Sequence, residues 1–188
     1  MAPAIATLIV SAEAGDHSAA DALFAALYEE LHGLAQKQLA RNGVGATIGT
    51  TTLLHEAYLD IAGREAAVFP DRGRFMAYAA KVMRGLIIDY ARSRQALKRG
   101  GGFEIVTLST EPEAGVPDDG ELLRISGAID DLAAVDPQLA EVVDLKFFGG
   151  FSFAEIGALR GVSERTAQRH WEAARIYLHR AMRQSVLP

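Results

Sequence analysis

Residues 152–182 constrain the fold more than any other stretch, because they contain the signals for two capped helices separated by a turn. Ser152 and Glu155 have the spacing of a capping box at the beginning of a short apolar segment. Gly161 follows that segment, and Ser163 lies where a second helix would be capped. A short capped helix, a glycine turn and a second capped helix are typical of a helix-turn-helix.

The rest of the chain also has the apolar spacing of helices. Apolar residues recur at steps of three and four over residues 16–40, 51–62 and 74–94, and Asp136 with Pro137 is a typical helix start. We therefore predict an all-α fold with two small helical domains joined by an acidic linker, the second domain containing the helix-turn-helix. The predicted boundaries are residues 1–99 for the first domain, 100–126 for the linker and 127–188 for the second domain.

Charge alternates along the chain in blocks, and the first basic block ends at the predicted boundary after residue 99. Residues 61–99 hold nine basic and three acidic side chains, a net charge of +6. Residues 100–141 hold one basic and ten acidic side chains, a net of −9, and residues 142–188 return to +3 with seven basic and four acidic. Two basic blocks on either side of an acidic one predict two polyanion-binding surfaces, although a charge run can also be only a solvated face.

The last predicted helix divides into an apolar and a polar face. Ala167, Trp171 and Ala174 fall on the inner stripe, and Arg165, Gln168 and Arg169 fall on the outer one. The N-terminal end of such a helix enters the major groove of DNA, where arginine can pair with guanine and glutamine with adenine. The sequence therefore predicts duplex DNA binding here; the alternative is a helical hairpin with a solvated basic face.

The sequence gives little support for an enzyme or for a membrane protein. The chain has no cysteine, and its five histidines are scattered without the spacing of a metal site. We expect no catalytic residue, no metal and no cofactor. The longest apolar run, residues 4–10, is too short to span a bilayer and has no basic residue before it, as a secretory signal needs. We expect a cytoplasmic protein that does not insert into a membrane.

The ordered set of motifs resembles one family. Residues 23–31 (LFAALYEEL) and 51–59 (TTLLHEAYL) are similar to conserved segments of RNA polymerase sigma factors of the extracytoplasmic-function (ECF) type. Residues 72–75 (RGRF) and 87–92 (IIDYAR) resemble the promoter-melting helix of that family. The stretch 148–156 (FGGFSFAEI) resembles the beginning of its last helix-turn-helix.

The resemblance implies roles for named residues. The second helix would bind core RNA polymerase through Leu54, Glu56 and Asp60. The third helix and the loop before it would hold the unpaired strand of the minus-ten element, which requires a base to leave the stack. The residues implied there are Phe69, Arg72, Arg74, Lys81, Arg84, Gly85 and Arg92. The last domain would contact the minus-thirty-five duplex through Arg165, Thr166, Gln168, Arg169 and Glu172.

The predicted function is that of a sigma factor, which binds core RNA polymerase, directs it to promoter DNA and helps to open the promoter. The two-domain organisation leaves regulation to another protein, such as an anti-sigma factor, or to expression level. A stand-alone helix-turn-helix regulator with a helical dimerisation domain is the alternative, and a helical adaptor is a third class. The sigma factor interpretation requires that two cationic stripes face outward, one on the last helix and one on the third helix that includes Lys81, Arg84 and Arg92.

Overall fold

The structure is a computed structural model that describes residues 5–42, 48–63, 71–99 and 118–184. Over these residues it is helical, without strands, in agreement with the predicted all-α class. The helices are α1 (Ile5–Glu13), α2 (His17–Ala26), α3 (Tyr28–Asn42), α4 (Thr50–Ala62), α5 (Arg72–Arg99), α6 (Asp119–Val135), α7 (Pro137–Val143), α8 (Phe153–Arg160) and α9 (Glu164–Gln184). A π-helical segment, Asp144–Phe148, continues α7.

The amino-terminal helices differ from the prediction at two places. The apolar run at the start of the chain belongs to α1, which the sequence analysis did not predict as a helix, and its Leu8 and Ile9 are buried. The predicted helix over residues 16–40 is two helices, because the chain leaves the helical conformation at Leu27. Leu27 is fully buried, so the break turns α3 onto the same core.

Helices α1–α5 share one apolar core. Phe75, Met83 and Ile87 of α5 are buried in it together with leucines of α2, α3 and α4. The buried Gln38 of α3 donates a hydrogen bond from Nε2 to the carbonyl oxygen of Ala80, 3.0 Å away. This contact fixes α3 against the middle of α5, the helix that carries most of the first basic block.

Helix α6 begins inside the predicted linker. Its N-cap is Asp118, whose carboxylate accepts a hydrogen bond from the backbone N–H of Glu121. Residues 119–126, predicted as linker, are therefore helical, and residues 100–117 lie outside the described part of the chain. Leu122 packs into the core of α1–α5, whereas Ile129 and Leu132 pack with Phe148 and Ala174 in a second core. Helix α6 thus contacts both groups of helices.

Helices α7, α8 and α9 form where the local sequence predicts them. Asp136 caps α7 with Pro137 in its first turn, and Ser152 and Glu155 form the full capping box of α8. A third core, made of Val142, Leu145, Ile156 and Ala167, holds α7, the π-helical segment, α8 and α9 together. Among the described residues, no helix is long and apolar enough to cross a membrane.

Candidate nucleic-acid interface

Helix α9 presents a polar face to solvent at its N-terminal end. Arg165, Gln168 and Arg169 are exposed, and Ala167 and Ala174 on the opposite face are fully buried. Ser163 accepts a hydrogen bond at its Oγ from the backbone N–H of Thr166, 3.1 Å away, which fixes where α9 begins. The predicted division of this helix into two faces is confirmed.

The turn between α8 and α9 depends on two glycines. Gly161 has a φ of +66°, a conformation that residues with a Cβ rarely adopt. At Gly157, a Cβ would lie 2.7 Å from the carbonyl oxygen of Val162, so only glycine lets α8 approach the turn this closely. The orientation of α9 relative to α8 therefore follows from the backbone of the turn.

Polar contacts of Arg160 hold α8 to its neighbours. The guanidinium of Arg160 is 3.0 Å from a carboxylate oxygen of Glu141 on α7 and 3.1 Å from Nδ1 of His170 on α9. Because an arginine can only donate, Nδ1 of His170 is the acceptor. His170 is thus part of the internal support of α9.

Two further predicted residues of α9 differ in their surroundings. The Thr166 hydroxyl lies 2.9 Å from Ser163 Oγ, and the residue is half-buried, so Thr166 belongs to the helix cap. Glu172 is exposed on the same side as Arg169. An acidic side chain there can accept a hydrogen bond from cytosine.

The residues of α5 that were predicted to bind the minus-ten element differ in their surroundings: most are exposed, and some pair with other side chains of the chain. Arg74, Lys81 and Arg92 are exposed, and Arg92 pairs with the exposed Asp89 one turn earlier on α5. Arg72 at the start of α5 pairs with Glu30 of α3. Phe69 lies outside the described residues.

Arg84 is the exception on this helix, because it is buried, with 8% of its surface exposed. Nη1 donates to Oδ1 of Asp144 at 2.9 Å, and Nη2 donates to Oγ of Ser126 at 3.2 Å and to Oδ1 of Asp130 at 3.5 Å. The expectation that the cations of this helix face outward is therefore wrong for Arg84, which α6 and the π-helical segment cover, whereas Lys81 and Arg92 are exposed. The neighbouring Gly85 is exposed, and a Cβ there would meet open space, so no close packing explains this glycine.

Burial changes the acidity of the carboxyl that faces Arg84. The pKa of Asp144 is raised above its usual range, because removal from water disfavours the carboxylate more than the cations of Arg84 and Lys81 favour it. Lys81 is exposed, whereas Arg84 is in direct contact with Asp144. Among the described residues, no group of three acidic or histidine side chains is placed to hold a metal ion.

Helix α4 presents a different face from the one predicted for polymerase binding. Leu54 is 4% exposed and packs in the first core, so its assignment to a binding surface is corrected. Glu56 accepts a hydrogen bond from the Tyr90 hydroxyl at 2.7 Å, which raises the pKa of that phenol. Leu59 and His55 are exposed one turn apart, and Leu59 has 56% of its surface in solvent. An alternation of Leu54 inward and Leu59 outward follows from the helical period, which the sequence motif alone did not resolve.

A comparison of the sequence with known protein families gives a match over almost the whole chain. The family model described as ECF sigma factor matches residues 2–184. The protein belongs to the ECF sigma factor family. No curated protein and no solved structure matches it. As a sigma factor it directs RNA polymerase to promoters, and its family is one of transcription initiation factors rather than of enzymes.

Proposed function

We propose that this sigma factor binds core RNA polymerase through α4, holds the opened minus-ten strand on α5 and contacts the minus-thirty-five duplex through α9. In this proposal residues 1–99 and 127–188 act as two domains, and the chain works in the cytoplasm. The observation that carries the proposal is the exposed face of Arg165, Gln168 and Arg169 at the capped end of α9, in a chain that matches the family over residues 2–184.

The duplex assignment is supported by chemistry as well as exposure. Arginine and glutamine offer the paired hydrogen bonds that distinguish guanine and adenine in the major groove. Gly161 and the Ser163 cap support the rigid presentation that such hydrogen bonds need, because the N-terminal residues of α9 stand at the end of a fixed turn.

The strand-opening assignment rests on the exposed cations Arg74, Lys81 and Arg92 of α5. Cations along a helix can hold the phosphates of a separated strand. Arg84 fits this role only after its contacts with α6 and the π-helical segment are released, since the guanidinium is buried in the free chain.

The polymerase assignment on α4 is supported by an exposed leucine. An apolar side chain with 56% of its surface in water gains free energy when a partner covers it, which makes Leu59 the best candidate for the centre of the contact. Glu56 and Asp60 are half-buried next to it and would lie at the edge of the contact. An anti-sigma factor is the third proposed partner, because members of the family bind such proteins.

Reconstitution with purified core RNA polymerase tests the proposal. We expect the protein to co-elute with the polymerase and to start transcription from a linear promoter. A protein that binds duplex DNA alone at two-fold related half-sites, and never joins the polymerase, would instead be a stand-alone regulator.

A matched pair of variants tests the role of α4. Leu59→Asp should weaken association with core polymerase at least tenfold, because a carboxylate would replace the apolar contact. Leu97→Asp on α5 is the control, since Leu97 is exposed to a similar degree, 63%. Equal association of both variants would move the polymerase interface away from α4.

A further inference from the structure

Arg160, the last residue of α8, joins three helices through its guanidinium. Nε donates a hydrogen bond to Oε2 of Glu141 on α7 at 3.0 Å, and Nη1 donates one to Nδ1 of His170 on α9 at 3.1 Å. The side chain of Arg160 is 7% exposed, whereas that of Glu141 is 49% exposed. The guanidinium is therefore held between α7 and α9, where water has little access to it.

His170 lies at the edge of the buried face of α9. Ala167, three residues earlier, and Ala174, four residues later, are fully buried, and His170 is half-buried beside them. On its other side His170 follows Gln168 and Arg169, which are exposed. The hydrogen bond from Arg160 thus reaches α9 at the border between its packed face and the face proposed for DNA.

The alanines on the packed face of α9 restrain its distance from the neighbouring helices more than its rotation. Alanine has one carbon beyond the backbone, so Ala167 and Ala174 let α9 approach closely but offer little resistance to turning about its own axis. A hydrogen bond depends on direction as well as distance, so the contact between Arg160 and His170 resists that turning. Together with the Ser163 cap, two turns earlier, it holds α9 at two points.

The DNA contact proposed for α9 requires a defined rotation of the helix. Side chains of an α-helix extend about 5–6 Å from its axis, so a turn of about 20° moves their ends by about 2 Å. Arginine and glutamine form paired hydrogen bonds with bases only when their donors are placed within about 0.5 Å of the required positions. A small rotation of α9 would therefore take Gln168 and Arg169 out of register with the base edges.

We infer that Arg160 and His170 are positioning residues for the minus-thirty-five duplex: their hydrogen bond fixes the rotation of α9 and, through it, the directions of Gln168 and Arg169. Glu141 orients the guanidinium from the opposite side. The inference rests on the proposed contact between α9 and duplex DNA. It makes promoter selectivity depend on two residues that act through the neighbouring side chains of α9.

Two substitutions at position 170 separate the hydrogen bond from the rest of the side chain. His170→Phe keeps an aromatic ring but removes the acceptor, whereas the Oδ1 of His170→Asn stands as many bonds from Cα as Nδ1 does. Histidine, phenylalanine and asparagine have similar helix propensities, so the variants differ chiefly in the acceptor. His179→Phe is the control, because His179 is exposed on the same helix.

Transcription with core polymerase measures the selectivity. The two templates are a promoter that the unchanged chain uses and the same promoter with a scrambled minus-thirty-five element. His170→Phe should lower the ratio of the two initiation rates about fivefold, whereas His170→Asn and His179→Phe should keep it within about twofold of the unchanged chain. Co-elution with core polymerase should be the same for all three variants. An unchanged ratio in folded His170→Phe protein, or an equal loss in His170→Asn, would overturn the inference.

Arg160→Met tests the hydrogen bond from its other end. Methionine keeps an unbranched apolar stem without the donors of arginine, so this variant should lower the ratio about as much as His170→Phe. The two substitutions combined should cost no more than either one, because both remove the same hydrogen bond. Fully additive losses contradict the inference. If His170→Phe does not fold, the ratio in Arg160→Met decides alone: a loss of about fivefold supports the inference and an unchanged ratio overturns it.

Tryptophan fluorescence reports the rotation of α9 in the free chain. Trp171 is the single tryptophan of the protein, follows His170 and packs against the second and third cores. The acrylamide quenching constant of its emission should change in His170→Phe and Arg160→Met, because turning the helix alters the exposure of Trp171. It should stay the same in His170→Asn. Identical constants in all of these proteins would show that the hydrogen bond does not set the rotation.

The two measurements distinguish a failure of this inference from a failure of the proposed function. If the unchanged chain uses both templates equally, α9 does not read the minus-thirty-five element and the proposed function fails, while the quenching of Trp171 still decides whether the hydrogen bond fixes α9. If the unchanged chain and His170→Phe select the intact element equally well, the positioning role alone is rejected.

Discussion

Helices α5 and α9 both carry exposed cations, but α5 also carries one cation, Arg84, that the rest of the chain covers. On α9 the residues Arg165 and Arg169 are exposed, whereas on α5 Arg84 is buried against Asp144. The difference arises because α9 lies at the edge of the second and third cores, while the middle of α5 is the surface on which α6 packs. A cationic stripe in a sequence shows which residues share a face, and only packing decides whether that face is available.

The largest expected effect is a difference in the free energy of unfolding between a substitution on α5 and a substitution on α9. Arg84→Met should lower the free energy of unfolding by about 3 kcal/mol, because the half-buried Asp144 loses its nearest cation. Arg169→Met should change it by less than about 0.5 kcal/mol, since that side chain is exposed. Urea unfolding followed by circular dichroism gives both values. Equal effects would mean that Arg84 is not buried in solution.

The next effect concerns DNA contact on α9. Arg169→Ala should lower transcription from a promoter with a minus-thirty-five element about tenfold, because one paired hydrogen-bond contact contributes about 1–3 kcal/mol. Arg180→Ala is the control, as Arg180 is exposed on the same helix but far from its N-terminal end. Co-elution with core polymerase should be unchanged for both variants. Loss of polymerase binding in Arg169→Ala would contradict the assignment of α9 to the duplex.

Two glycine substitutions, one within α5 and one in the turn before α9, extend the comparison to the backbone. Gly161→Ala should cost about 1–2 kcal/mol, because its φ of +66° is unfavourable for a residue with a Cβ. Gly85→Ala should stabilise the protein by about 1 kcal/mol, as it lies within α5 and faces open space. Thermal unfolding distinguishes the two signs. Slower promoter opening by the more stable Gly85→Ala protein would place the unpaired strand against that position.

The smallest expected effect is on the pH dependence of stability, to which Glu155 and Asp144 should contribute with opposite signs. Hydrogen bonds from the Ser152 hydroxyl and backbone N–H lower the pKa of Glu155, so its contribution to stability is present above about pH 4.5 and is lost as pH falls through the lowered pKa. The pKa of Asp144 is raised, so its contribution decreases as pH rises from about 3.8 through the raised value. Melting temperatures of Glu155→Gln and Asp144→Asn, each compared with the unchanged chain from pH 3 to 7, should show the two trends. Parallel trends would contradict the assigned environments.

The carboxy-terminal helices could be predicted from the sequence because their signals are local. Asp136, Ser152 and Ser163 each accept a hydrogen bond from a backbone N–H two or three residues away, and such contacts need no distant partner. The exposed face of α9 followed from the same local geometry, through the helical period.

The amino-terminal half was predicted less well because distant contacts decide it. The break at Leu27 and the packing of α1 both bury residues in a core assembled from five helices. The motif over residues 51–59 pointed to α4, but it could not show that Leu54 faces inward and Leu59 outward. That orientation depends on where α5 packs against α4, through contacts such as the hydrogen bond from Tyr90 to Glu56.

By itself, the sequence determined the helical class, the starts of α7, α8 and α9, the polar face of α9 and the membership of the ECF sigma factor family. Caps, glycine turns and helical periodicity act over a few residues, so the local sequence is sufficient for them. Only the tertiary structure decided that Arg84 is buried in contact with Asp144 and Asp130. These contacts join residues more than 40 positions apart, and burial and ion pairing across such separations depend on how the helices pack.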